Sequence, residues 1–170
     1  MRYISFVFLA VLTMTAPATS LERAGKPHLV LLGESRLSVL FWDIYDARLY
    51  VQGKTYDPDK PFALSLTYLR DFSGSDIAER SIEEIRQQGF GDESVLASWQ
   101  VQLEMIFPDL VEGDEIMGIS NPSEGAQFFL NGSLIGAITD QNLSGRFFDI
   151  WLSEKTSEPE MRQSLIGVDQ

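Results

Sequence analysis

The hydrophobic period changes several times along this chain, and those changes set the fold class. From Phe62 to Leu69 the pattern alternates: Phe62, Leu64, Leu66 and Tyr68 fall on one side, and Ala63, Ser65, Thr67 and Leu69 on the other. That is the two-residue period of a strand. The period then lengthens. Ser75 is placed to cap a helix over residues 76–88, with Ile77, Ser81, Ile82 and Ile85 on one face and Gly89 as its stop. Asp92 is placed to cap a second helix over 93–107, whose apolar stripe is Leu96, Trp99, Leu103, Ile106 and Phe107, with Pro108 ending it.

Strand character then returns. Residues 115–120 read as one strand, and apolar runs over 126–130 and 133–138 flank Asn131-Gly132, the strongest short hairpin signal. Upstream, residues 28–32 read as a short strand ending at Gly33, and 37–42 and 44–51 as two more, before a turn over 56–61 rich in proline and aspartate. Residues 141–153 and a short segment opening at Pro159 and ending near Ile166 read as helices. Hairpins outnumber βαβ crossovers in this order. The expected fold is therefore α+β, a mainly antiparallel sheet with helices on one face.

The first twenty residues have the form of a secretory leader. Arg2 is followed by an apolar run over 3–14, then by small residues fitting cleavage near Ala18 or Ser20. The run is shorter than the roughly 20 residues a bilayer span needs. The expectation is a leader over 1–20, one domain over 21–170, and a periplasmic or secreted protein with no stable membrane span.

Composition narrows function. A net charge of −12 makes nucleic-acid binding and attachment to anionic lipid poor expectations. Without cysteine there is no disulfide, thiol nucleophile or thiolate metal ligand, and a single histidine, His28, excludes sites that need two. No metal and no cofactor is expected. Asp57 and Asp59 read as turn formers, Glu112, Asp114 and Glu115 as a solvated turn around Gly113, Glu83 and Glu84 as the wet side of a helix, and His28 as a strand-start residue.

Three stretches, taken in order and spacing, carry a family resemblance. They are Gly33-Glu34-Ser35-Arg36-Leu37 with Ile44-Tyr45-Asp46-Ala47-Arg48-Leu49-Tyr50-Val51; Thr67-Tyr68-Leu69-Arg70-Asp71-Phe72; and Asn131-Gly132 with Phe147-Phe148-Asp149-Ile150-Trp151-Leu152 and a closing Leu165-Ile166-Gly167. Over about residues 28–167 the chain resembles the bacterial chalcone isomerase-like proteins, relatives of plant chalcone isomerase and of the plant fatty-acid-binding proteins. The resemblance implies an open-faced sandwich with a ligand cleft between sheet and helices.

Carried over by position, the isomerases' site arginine falls at Arg36, while their other polar site residues fall at Tyr45, near Ser73 or Gly74, near Arg80, and at Ile150. Only the arginine is kept, which argues against isomerase catalysis, because ring closure needs a placed base and a donor network at the ketone. No catalytic residue is assigned. In the fatty-acid-binding relatives an arginine and a tyrosine at the positions of Arg36 and Tyr45 grip a carboxylate. Guanidinium and phenol are suited to that task, since together they replace the hydration a carboxylate loses in an apolar cleft. The resemblance thus implies a small amphipathic ligand such as a fatty acid, with Arg36, Tyr45 and Arg70 as ligand-binding residues and Leu66, Ile82, Ile85, Phe107 and Phe147 as apolar walls. The alternatives are an isomerase-type intramolecular lyase acting on another substrate, and a periplasmic partner or structural protein.

Overall fold

A computed structural model describes residues 28–167; the leader expected over 1–20 lies outside them. Six strands form one antiparallel sheet in which each strand pairs with the next in sequence: β1 Val30–Val39, β2 Trp42–Val51, β3 Phe62–Tyr68, β4 Glu115–Asn121, β5 Gly125–Leu130 and β6 Ser133–Ile138. Helices α1 Gly74–Gln87 and α2 Glu93–Ile106 lie between β3 and β4, and α3 Gln141–Leu152 and α4 Pro159–Ile166 follow β6. This is the α+β arrangement that the changes of period imply.

Local chemistry explains most boundaries. The Asp92 carboxylate accepts from the amides of Ser94 and Val95, and that of Asp140 from Asn142 and Leu143, which satisfies first-turn donors of α2 and α3. The α1 cap is Ser73, not Ser75: the Ser73 hydroxyl accepts from the Asp76 amide, and the helix begins at Gly74. Pro159 opens α4, and Gly167 ends it in the left-handed region at φ 75°. Asn131 and Gly132 both take positive φ, 50° and 82°, as a two-residue type I′ hairpin requires.

At the first strands the structure departs from expectation. The segments read as separate strands over 28–32 and 37–42 join into one strand, β1, which runs from Val30 through Gly33 to Val39; Leu40 and Phe41 form a turn, and Trp42 already belongs to β2. A side chain there would have no room, because a Cβ on Gly33 would lie 2.2 Å from the Ser164 carbonyl oxygen of α4. Gly33 is therefore the place where the closing helix sits directly on the sheet, rather than a strand end.

Alternation assigns the two faces of the sheet. Ala47, Leu49 and Val51 of β2, Leu64 and Leu66 of β3, and Phe128 of β5 pack with Ile82, Ile85, Leu96, Leu103, Phe147 and Leu165 of the helices in one buried core. The opposite face carries a smaller apolar cluster of Leu29, Ala63, Met117, Ile119 and Phe129, with Tyr50 at its side, and a charged area where Glu34, Arg36, Asp46 and Arg48 pair across β1 and β2. The β1–β2 hairpin turns through Leu40 and Phe41, which are 88% and 97% exposed, with Leu40 at φ 57°.

Two outcomes follow. Gly33→Ala should lower the unfolding free energy by about 1–3 kcal/mol, because α4 must move off the sheet. Leu40→Gly should raise it by roughly 0.5–1 kcal/mol, because glycine occupies the left-handed first position of a two-residue turn without strain. Denaturant unfolding with unchanged m-values would check both.

Candidate functional site

A cavity of about 500 Å³ lies between the sheet and the helices, within the roughly 300–1,000 Å³ span of small-molecule sites. Its walls are mostly apolar. Leu64, Leu66, Ile116 and Phe128 rise from the sheet, and Phe147 and Ile150 descend from α3. Gly118 of β4 leaves room there for two rings: a Cβ at that position would meet Phe148 at 3.0 Å and Phe128 at 3.1 Å. Of the expected wall residues, Leu66, Phe107 and Phe147 line the cavity, whereas Ile82 and Ile85 are buried in the core behind it.

One end of the cavity is polar. Tyr45 of β2 and Tyr68 of β3 are directly paired across the strands, with ring centroids 5.8 Å apart in an edge-on arrangement. The Trp151 indole donates to the Tyr45 hydroxyl at 2.9 Å. That leaves the Tyr45 proton itself without an acceptor among the described residues, and the Tyr68 hydroxyl has no partner there either. Burial drives both phenols toward the neutral form. It pushes Tyr45 up to about 12 despite the opposing indole hydrogen bond, and it raises Tyr68 further. Two adjacent phenols therefore stay protonated and face an apolar space.

Helix α1 supplies the charges. Asp76, Arg80, Ser81 and Glu84 line the cavity, and Glu158 joins them from the segment before α4. Arg80 is the single cationic side chain among the lining residues. It pairs with Glu83 at 3.4 Å and more closely with Glu84, whose side chain is only 5% exposed. Here the reading of Glu84 as part of a wet helix face is corrected. The residue lies two helical turns after Ile77 on the stripe that also holds Ser81, so packing α1 onto the sheet takes it inside. That spacing was a signal available in the sequence.

Of the three residues expected to bind ligand, only Tyr45 reaches the cavity. Arg36 is on the opposite face of the sheet. Register decides this: Arg36 pairs with Asp46, while Leu37 pairs with Tyr45, and neighbouring residues in a strand point to opposite sides. The Arg36 guanidinium is half exposed and fully engaged, bonding both oxygens of Asp46 at 2.6 and 2.9 Å and Asp43 at 3.0 Å. Those hydrogen bonds hold the Asp46 carboxyl below its ordinary range. One head group cannot touch Arg36 and Tyr45 together. Arg70 is also outside, with its guanidinium stacked 4.0 Å over the Trp42 ring on the surface.

A β-bulge adds a cavity residue that the sequence did not flag. As β1 steps from Leu37 to Ser38, β2 steps from Tyr45 to Asp43, and the extra residue, Ile44, lines the cavity beside Tyr45. Among the described residues no helix is long and apolar enough to cross a membrane, and no group of three or more metal-ligating side chains forms a cluster.

An antiparallel sheet under a helical layer, with a part-apolar, part-phenolic cavity between them, defines an α+β protein of the open-faced sandwich class. Residues 14–167 match the family described as chalcone isomerase-like, and the chain belongs to that family. Its fold is similar to that of the crystal structure of a fatty-acid binding protein of Arabidopsis thaliana. The TM-score is 0.62 at 13% identity, over 82% of this chain and 87% of that one. No curated protein matches the sequence significantly.

The buried phenols make stability depend on pH in a defined direction. Their folded pKa values are raised above about 10, the value in an unfolded chain. Their contribution is thus complete below about pH 10 and is lost as pH rises through the folded value, about 12 for Tyr45. Melting temperatures should fall between about pH 10 and pH 12, and Tyr45→Phe should flatten part of that fall. Thermal melts of both proteins across this range would check it.

Proposed function

We propose that this protein binds a fatty acid or a similar amphipathic carboxylate in the cavity between sheet and helices, without catalysis. The observation that carries the reading is the pairing of Tyr45 and Tyr68 at the polar end of a cavity whose other walls are apolar. Two unspent phenol protons ask for an oxygen acceptor, and the apolar walls ask for a chain. Arg80 is the cation within reach of that end; Arg36, on the other face, is not part of this reading. The fatty-acid binding protein that shares the fold supports the ligand class.

Catalysis is left out because, by the family resemblance, Ile150 stands where the isomerases carry a polar side chain, and Ile150 lines the cavity. The reading includes export to the periplasm or outside the cell, on the strength of the leader-like residues 1–20. N-terminal sequencing of the purified protein tests that part: a start near residue 19 or 21 supports it, and an intact Met1 or Arg2 removes it.

A second reading, a binding partner for another protein, draws on the exposed apolar hairpin tip at Leu40, Phe41 and Trp42. One experiment separates the two. The protein is purified natively, extracted with organic solvent and examined by mass spectrometry. Wild type and Arg36→Ala should both yield a fatty acid near equimolar amount, and Tyr45→Phe/Tyr68→Phe should lose most of it. Clean extracts from all three, with no binding of added lauric acid, would end the fatty-acid reading and favour the second.

A further inference from the structure

Glu84 lines the cavity, and its Oε2 is sealed from solvent without a hydrogen-bond partner among the described residues. The other oxygen, Oε1, accepts from Arg80. Buried polar atoms are nearly always satisfied, and an exception in a cavity wall marks a place where a donor belongs. We propose that Glu84 accepts a hydrogen bond from the head group of the bound amphiphile, so that a fatty acid enters with its proton and binding takes up one proton from solution. This rests on the fatty-acid reading above and adds the head group's protonation state to it.

Charge counting at the polar end leads to the same result. Asp76 and Glu84 of α1 and Glu158 from the segment before α4 line the cavity against a single cation, Arg80, which Glu84 already matches. The groups that β2 and β3 present there, Tyr45 and Tyr68, are neutral. An ionised fatty acid would add an uncompensated negative charge beside Glu84, which is buried although Asp76, Arg80 and Glu158 reach solvent. Two carboxylates in such contact do not both ionise; they share one proton.

The neutral acid fits every unspent group. Its O–H donates to Glu84 Oε2, and its carbonyl oxygen accepts from the phenols. The terminal carboxylate torsion of a glutamate is soft, so Oε2 can turn to meet the ligand. The proton balance is simple. A fatty acid is ionised in neutral water, so each binding event removes one proton from solution, and that proton stays between the ligand and Glu84.

The test is calorimetric titration of the purified protein with lauric acid and with 1-dodecanol, in two buffers of different ionisation enthalpy. For wild type, lauric acid should bind with uptake of close to one proton and an affinity falling about tenfold per unit between about pH 6 and pH 8. Dodecanol, which also donates, should bind with neither effect. Glu84→Gln presents an amide that can donate to the anion; its proton uptake and pH slope for lauric acid should vanish. Lauric acid bound by wild type without proton uptake would overturn the inference and leave the fatty-acid reading standing. Retention of the slope in Glu84→Gln, with wild-type circular dichroism, would overturn the role of Glu84. Failure of both ligands to bind wild type would remove the inference together with that reading. The wild-type proton count needs no variant, so a misfolded Glu84→Gln would not blunt the test.

Discussion

The register of β2 against its two neighbours is the constraint on which the site depends. Because side chains alternate along a strand, pairing Leu37 with Tyr45 and Tyr45 with Tyr68 puts those three residues under the helices. The same register puts Arg36, Asp46 and Arg48 on the other side. A slip of β2 by one residue would turn Asp46 and Arg48 inward and Tyr45 outward, away from Tyr68. Burial of Ala47, Leu49 and Val51 under the helical layer makes that slip costly, and the bidentate Arg36–Asp46 pair favours the same register from the outer face.

The cavity is a consequence of how rings pack. Phe107, Phe128, Phe147 and Phe148 meet edge-on or stacked around Gly118, with centroid separations from 5.1 to 6.4 Å. Aromatic rings prefer these offset contacts to close sandwiches, and a wall of them bridges space that aliphatic side chains would fill. Helix α1 spans the polar end of this space. Its inward stripe passes from Ile77 through Ser81 to Glu84, so the helix that covers the cavity also delivers the buried carboxylate. Cover and chemistry come from one element.

Much of the fold was legible in the chain because its signals are local. The Asn131-Gly132 turn, the Asp92 cap, Pro159 at the start of α4 and the alternation of Phe62 to Tyr68 each state their own geometry within a few residues. The exceptions lie where distant residues decide. Gly33 reads as a strand end, yet the Ser164 carbonyl of α4 sits over it within a continuous strand; Ser75 reads as the α1 cap, yet Asp109 accepts from the Gly74 amide and Phe107 packs on Gly74, so the helix starts behind Ser73.

The site divides in the same way. The antiparallel α+β class, the family resemblance, the lack of thiol and paired-histidine chemistry, and Tyr45 as a residue of interest are all readable from the chain alone. Tertiary structure alone decided that Arg36 faces away, that Arg70 stacks on Trp42 at the surface, and that Tyr68, Arg80 and Glu84 gather where Tyr45 points. The physical reason is that residue type and local period specify what a side chain can do. Which side chains share one enclosed space is set by strand register and by the seating of a helix, and both depend on contacts far apart in the chain.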